Sequence, residues 1–256
     1  MVRRTVEMGV GAALFVGIAF LAPAHAADCP VTHDRLVTAL KASVKASGGP
    51  TNGGFDSHQW ASVVGRDGTV CALAFSGNKA DDQWPGGRII AMAKAHTANA
   101  FSVKGMAMSS ANLFALAQPG QSLYGIVQAS PPSPEASSGQ ASQFGTASDP
   151  AIGKRIGGVI VFGGGLALYD ASGIVGGLGV SGDSSCADHN VAWRVRNALD
   201  LGKTPQKDAI IYDLGADGKS ASGFGHAKCA GHEADVAQEL GAGVGGASLS
   251  GLAPKK

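Results

Sequence analysis

The sequence predicts an α+β protein in which an antiparallel sheet carries helices packed on one side. Two observations lead to this prediction. Helical and strand-like segments follow one another in the order helix, hairpin, helix, extended segment, hairpin, helix, which is an α+β arrangement. Both hairpins have short polar turns, at Asp67-Gly68 and at Asp170-Ala171-Ser172-Gly173, and such turns favour antiparallel strand pairs.

The individual elements are predicted from the spacing of apolar residues and from turn signals. Leu36, Leu40 and Val44 recur every four residues of the first helix, which Thr32 or Asp34 can cap. The predicted elements, in chain order, are helix 32–46, strands 59–64 and 70–75, helix 88–103, an extended stretch at 123–127, strands 155–170 and 174–183, helix 186–201, strand 208–213 and helix 233–240.

The second hairpin is rich in glycine, for example at Gly164, Gly165, Gly177 and Gly179. Glycine weakens a strand through backbone entropy unless another group must approach the backbone closely. That group can be a helix lying flat on the sheet, a neighbouring subunit or a planar ligand. The sequence leaves these three explanations open.

The N-terminus predicts export. Arg3 and Arg4 precede a mostly apolar run over 8–21, and 24–26 is a small-x-small cleavage site. We therefore expect a secretion signal peptide over 1–26 and a periplasmic or secreted protein. The apolar run is too short for a membrane span. Export of the folded protein by a twin-arginine route is the less favoured alternative.

The four cysteines remain in the chain after the predicted cleavage. An even number of cysteines in an oxidising compartment predicts two disulfides, for which three pairings are possible. We favour Cys29 with Cys71, which ties the N-terminus to a strand, and Cys186 with Cys229, which ties the tail to a helix. A four-thiolate metal site is disfavoured because the chain contains no CxxC pair.

The remaining chain length suits one well-buried domain with an extension. We expect that domain at 27–201, with a Pro- and Ser-rich surface insertion at 131–153, and a disulfide-tethered extension at 202–256 that frays after 241. The formal net charge of the 256-residue chain is +1 and its basic residues are scattered. Nucleic acid and anionic membranes are therefore not expected partners.

Four segments of the chain resemble the GlcG/HbpS family of small haem-binding proteins: PGGRIIAMAKAHTANAF at 85–101, QPGQSLYGI at 118–126, FGGGLALYD at 162–170 and GGLGVSGDSSCADHNVA at 176–192. The resemblance extends from Thr32 to Leu201. It implies a PAS- or profilin-like sheet-and-helix fold that assembles into homo-oligomers. It also implies haem binding in some members and a role beside glycolate or corrinoid enzymes in others. The insertion, the tail and the cysteines depart from the compact members.

With haem as the implied cofactor, His96 on the second helix is the candidate metal ligand, since an imidazole can bind ferric iron. A lone histidine on a helix is more often a surface or interface residue whose hydrogen bonds are satisfied. Lys94 can meet a propionate or stay solvated, and the Thr97 hydroxyl can face the ligand or bond to the preceding turn. The other candidate residues of the haem site are Phe101, Tyr124, Gly164, Gly165 and His189.

On the last helix of the predicted domain, His189, Trp193 and Arg196 share one face. They form either a patch for an anionic planar molecule or an ordinary exposed rim. No catalytic site is predicted. The sequence Gly179-Val180-Ser181-Gly182-Asp183 lacks the second glycine of a GxSxG nucleophile elbow, and no Gly-Lys-Ser/Thr follows the glycine run.

The sequence thus favours an exported protein that binds haem or another tetrapyrrole, as a carrier, buffer or sensor partner and not as a catalyst. Two alternatives remain. One is a periplasmic enzyme or accessory subunit that acts on a small organic acid, with Lys94, His96 and Arg196 as anion contacts. The other is a structural assembly module.

Overall fold

The computed structural model describes Met1 and residues 29–245, so the predicted signal peptide at 1–26, apart from Met1, and the chain from residue 246 lie outside the described residues. The helices and strands are α1 (His33–Ser43), β1 (Trp60–Gly65), β2 (Val70–Phe75), α2 (Gly87–Ala100), α3 (Ile126–Ala129), β3 (Gly165–Asp170), β4 (Gly173–Ser181), α4 (Ser185–Ala198), β5 (Ile210–Ile211), α5 (Glu233–Leu240) and β6 (Gly243–Val244).

A four-stranded sheet in the order β2-β1-β4-β3 organises the fold. Each neighbouring pair is antiparallel. The predicted α+β class and antiparallel sheet are confirmed, and α1 and α4 pack together on one side of the sheet, where Leu36, Val63, Leu178 and Val195 share the main core. Helix α2 covers the opposite face of the four-stranded sheet.

Thr32 and Gly68 act as the sequence predicts, and Ser184 provides a further helix cap. The Thr32 hydroxyl accepts a hydrogen bond from the backbone N–H of Arg35 and so caps α1. Ser184 caps α4 in the same way, through a 3.2 Å hydrogen bond from the N–H of Ala187. The turn at Gly68, where φ is +83°, joins β1 to β2.

The glycines of β4 allow α2 to lie directly on the sheet. A Cβ atom at Gly179 would lie 2.0 Å from the carbonyl oxygen of Ala91 and 2.4 Å from the nitrogen of Ala95. At Gly177 it would lie 2.2 Å from the carbonyl oxygen of Ala95. Of the three explanations for these glycines, close packing of a helix is therefore the one that applies in this strand.

We expect Gly179→Ala to destabilise the protein by roughly 1–3 kcal/mol, because the new methyl group forces α2 away from the sheet. Chemical denaturation followed by circular dichroism measures this loss. Gly86→Ala is the matched control, because its φ is −67° and no atom lies within 4 Å of its Cβ position. The control should be neutral or slightly stabilising. Equal stabilities of the two variants would contradict this packing.

Two predicted elements differ from the structure because glycine adopts backbone conformations that strands do not contain. The strand predicted over 155–170 begins only at Gly165, since φ is +66° at Gly157, +87° at Gly158 and +113° at Gly164. The extended stretch predicted at 123–127 is a turn that leads into α3.

The segment 131–153 lies against β2 and α2 and buries Ala136, Asp149 and Ala151. Asp149 receives the guanidinium of Arg88 from α2, with its Oδ2 atom 2.9 Å from Arg88 Nε, and both side chains are buried. This ion pair holds the segment on the body of the protein.

Both favoured disulfides, Cys29–Cys71 and Cys186–Cys229, are present. The second joins the start of α4 to the segment after β5. Residues 243–244, in the part expected to fray, instead form β6, which pairs in parallel with β5. Ile210 of β5 and Ala237 of α5 are fully buried beside Cys186, so this part of the extension has its own apolar packing.

Candidate functional site

Lys94 lies in the protein interior and is paired with Asp188. Its Nζ atom is 2.7 Å from Asp188 Oδ2 and donates a second hydrogen bond of 3.1 Å to the carbonyl of Val180. Asp188 Oδ1 accepts a bond from the N–H of Asp183. Burial raises the pKa of Asp188 to about 6, against the opposing effect of the Lys94 charge. Lys94 therefore has internal partners and is not exposed to a ligand.

Three further predicted residues surround this ion pair. A Cβ at Gly164 would lie 2.9 Å from Lys94 Nζ, and a Cβ at Gly165 would lie 2.6 Å from the Lys94 carbonyl oxygen. The Thr97 hydroxyl donates to the carbonyl of Ala93 at 2.7 Å and accepts from the N–H of Ile160 at 2.9 Å. These contacts join α2 to β3 and to the segment before it.

His189 is fully buried on α4, and neither ring nitrogen has a hydrogen-bond partner among residues 29–245. Burial, reinforced by the nearby charge of Arg196, lowers the pKa of His189 to about 3, so the ring is neutral. The shared face of His189, Trp193 and Arg196 is covered by the C-terminal extension, in which Asp208 binds Arg196. The face is thus neither a ligand patch nor an exposed rim.

A second buried histidine, His226, comes from the extension. Its Nε2 atom accepts a 3.2 Å hydrogen bond from the N–H of Gly163, so Nδ1 carries the proton and donates to the carbonyl of Ala227 at 2.7 Å. Burial lowers its pKa to about 4. Since both nitrogens have partners, His226 is a satisfied core histidine.

His96 lies on the other side of α2 from Lys94, as its spacing of two residues requires. It is half-buried beside the β1–β2 turn, where a Cβ at Gly68 would lie 3.6 Å from its Nδ1 atom. That Nδ1 atom is buried without a hydrogen-bond partner in the described chain. Burial lowers the pKa of His96 below its usual range, so its imidazole is neutral at pH 7.

Phe101 and Tyr124 belong to a different region. Phe101 packs at the edge of an apolar cluster that includes Met108 and Val161. Tyr124 follows Leu123 of the same cluster and is 66% exposed. The structure therefore groups Lys94, Thr97, Gly164, Gly165 and His189 in the interior, and separates them from His96, Phe101 and Tyr124.

A cavity of about 730 Å³ opens between the segment 131–153 and the adjoining parts of β1, β2 and α2. This volume lies in the range of small-molecule sites. Its principal walls are formed by Trp60, Phe75, Arg88, Ile89 and Phe144, with Lys79 at the rim. None of the residues predicted from the sequence lines it.

A family model described as "Haem degrading protein HbpS-like" matches residues 56–196. This chain belongs to the HbpS-like family. The match covers the sheet and α2 through most of α4, and it includes the segment 131–153. No curated protein is similar to this HbpS-like chain at a significant level.

The solved structures to which this chain is similar have low sequence identity. The crystal structure of the PduOC–haem complex is 22% identical, covers 67% of this chain and 94% of its own, and has a TM-score of 0.46. The Klebsiella pneumoniae protein ORFY is 21% identical, with coverages of 66% and 90% and a TM-score of 0.44. Crystalline HbpS is 18% identical, with coverages of 74% and 99% and a TM-score of 0.37. The family assignment rests on the family model.

Sequence reasoning missed the cavity of this HbpS-like protein because its walls come from distant segments. Trp60 of β1, Arg88 of α2 and Phe144 of the segment 131–153 all line it. One signal was available: Phe144 is the single aromatic residue of the segment 131–153. A lone aromatic in a Pro- and Ser-rich stretch is a candidate anchor, and here its ring lies 3.9 Å from the Arg88 guanidinium carbon.

Other kinds of site find no support in the described part of the chain. Within residues 29–245, no three His, Cys, Asp or Glu side chains come together as a metal site. No helix there is long and apolar enough to cross a membrane.

Proposed function

We propose that this HbpS-like protein is an exported haem-binding protein that carries or buffers haem, or partners a sensor. The observation that carries the proposal is membership of a family whose description names haem, over the half of the chain that contains His96. Haem supplies an iron atom that accepts an imidazole nitrogen. The test of fit is whether this chain offers such a nitrogen.

His96 fits this requirement among the candidate residues. Its ring is neutral at pH 7, and its Nε2 atom, unlike the buried Nδ1 atom, is open to solvent and forms no hydrogen bond within residues 29–245. A neutral ring with an uncommitted nitrogen is the form that ligates iron. The hydroxyl of Thr97 is already bonded twice, and Lys94 is paired with Asp188, so these two residues support the fold around the site.

We also propose that the protein is a homo-oligomer. The support comes from the apolar cluster around Met108 and Val161, which is partly exposed. Phe101, Met106, Leu123 and Ile126 pack at its margin, and Val103 beside it is 51% exposed. Contiguous exposed apolar surface is typical of interaction sites. We propose that this face, with Tyr124 at its edge, meets a second copy of the chain.

Export to the periplasm or the extracellular space is the proposed localisation. It is supported by the N-terminal signal pattern and by the two disulfides, since disulfides persist in oxidising compartments.

The test is titration of the oxidised mature protein with hemin, followed by absorbance and by size-exclusion chromatography. A saturable Soret band at one haem per chain or per pair of chains is expected. His96→Ala should weaken binding by about tenfold or more, as for other ligand-shell substitutions, and should shift the Soret maximum. The circular dichroism spectrum should not change, because the His96 side chain forms no hydrogen bond in the described chain.

The matched control is His232→Ala, which removes a histidine whose side chain is 88% exposed and distant in sequence from the family match. The control should bind hemin as the unaltered protein does. If both variants kept the parent spectrum, His96 would not be the iron ligand. A Soret change no larger than that of a non-binding reference protein would overturn the haem proposal itself.

A further inference from the structure

We infer that the cavity under the segment 131–153 is a second binding site, separate from His96, and that it takes a planar aromatic carboxylate. The inference stands on the volume of the cavity, on its aromatic lining and on one lysine that has no ion-pair partner in the described chain.

Aromatic rings form the walls. Trp60 and Phe75 stack on each other with their ring centroids 4.3 Å apart and their planes 18° apart, and this stacked pair forms an aromatic surface in the cavity lining. Gly145 of the segment crosses this surface so closely that a Cβ would lie 2.9 Å from both Phe75 Cβ and Trp60 Cζ3. The Phe144 ring and Ile89 add further apolar contacts. Flat apolar walls favour a flat conjugated ligand.

The charges of the cavity leave one cation at its rim. Arg88 is buried and is neutralised by Asp149, which also accepts hydrogen bonds from the N–H groups of Gly145 and Ala151. Lys79 is exposed and has no acidic side chain within ion-pair distance among residues 29–245.

The carboxylates nearest to Lys79 in the chain do not cancel this charge by direct contact. Asp82 is exposed, and its Oδ2 atom accepts hydrogen bonds of 2.8 Å from the backbone N–H groups of both Asn78 and Lys79. Asp81 does not line the cavity. The Lys79 ammonium is therefore available to an anionic group at the rim.

The ligand class follows from this charge and from the walls. A carboxylate can pair with the Lys79 ammonium, and a flat ring suits the aromatic lining. A carboxylate on a flat ring combines the two.

Haem does not suit this cavity as its resident ligand. The residues that line it include no histidine, cysteine, methionine or tyrosine, which are the side chains that normally hold haem iron. Occupation of the cavity is therefore independent of the His96 proposal.

The experiment is calorimetric titration of the mature protein with three naphthalene probes of equal ring size. These are 2-naphthoate, the neutral 2-naphthalenemethanol and the cationic 2-naphthylmethylamine. We expect 2-naphthoate to bind saturably with one site per chain, and the cation to bind least. Preference for the neutral probe, or absence of saturable binding by all three, would overturn the inference.

Three variants locate the site. Ser142→Trp places a bulky ring at an exposed lining position and should abolish binding of 2-naphthoate. Lys79→Gln should weaken the binding of 2-naphthoate by about threefold to fivefold, as for a partly solvated ion pair. It should leave the binding of the neutral probe unchanged. Lys104→Gln removes an exposed lysine outside the cavity lining and is the matched control.

The same variants separate this inference from the haem proposal. Ser142→Trp should leave the hemin titration unchanged, and His96→Ala should leave 2-naphthoate binding unchanged. If 2-naphthoate bound Ser142→Trp as tightly as the parent protein, the cavity would not be its site. If His96→Ala abolished the binding of both hemin and 2-naphthoate, the two sites would not be separate.

Discussion

Lys94→Met is expected to lower the free energy of unfolding by about 3–5 kcal/mol at pH 7.5, because it leaves the Asp188 carboxylate buried without its cation. The side chains of Lys94 and Asp188 are only 1% and 3% exposed, so water cannot replace the lost charge. Methionine retains much of the length of the lysine chain, so the loss reflects charge more than packing.

The loss should depend on pH, with a sign that follows from Asp188. Its pKa is raised in the folded state to about 6, so its contribution to stability is fully present below its unfolded pKa and disappears as the pH rises through the folded value. Without Lys94 the folded pKa rises further. Relative to the parent protein, Lys94→Met should therefore lose a further ~1.4 kcal/mol per pH unit above about pH 6, until its own carboxyl ionises, and the extra loss should be smallest below pH 6.

Urea denaturation from pH 4 to pH 8 measures this dependence. The double variant Lys94→Met/Asp188→Asn should recover most of the loss at pH 7.5, because the amide is neutral and its oxygen can still accept from the N–H of Asp183. Lys203→Met, which removes a half-exposed lysine 3.6 Å from Asp200, is the control and should change little. A Lys94→Met protein of normal stability with impaired hemin binding would instead give Lys94 the ligand role predicted from the sequence.

The local features of this fold could be predicted because their causes are local. Thr32 as a helix cap and Gly68 as a turn residue act through neighbours a few positions away, and both are found as predicted. The glycines of β4 were recognised as places of close approach. The group that approaches, α2, could not be chosen from the sequence, because a helix, a subunit and a ligand all require the same missing side chain.

The candidate site could not be assembled from the sequence, because long-range pairing decides which polar residues remain free. Lys94 and Asp188 are 94 residues apart, and nothing near either one indicates the other. The same holds for Arg88 and Asp149, whose pairing turns a Pro- and Ser-rich stretch into a cavity wall. A histidine on a helix looks identical in the sequence whether it is buried, as His189 is, or half-exposed with a free nitrogen, as His96 is.

Arg196→Met is expected to have an effect of similar size, about 3–5 kcal/mol, because it also leaves a buried carboxylate without its cation, here at the C-terminal extension. Arg196 and Asp208 form a bidentate pair, with Nη1 2.6 Å from Oδ2 and Nη2 2.8 Å from Oδ1, and both side chains are buried. The variant leaves the Asp208 carboxylate without a hydrogen-bond donor among residues 29–245. The extension should therefore loosen from α4 before the sheet unfolds.

Hydrogen exchange distinguishes this local release from global unfolding. The amides of Ile210 and Tyr212, which bond to Ala242 and Val244, should exchange faster in Arg196→Met, whereas those of β1 should change less. Arg196→Met/Asp208→Leu should restore most of the protection by removing both charges. Arg155→Met breaks an exposed pair with Asp67 and should have little effect. Uniformly faster exchange throughout the sheet would mean that the extension and the sheet unfold as one unit, and that Arg196 stabilises the whole protein.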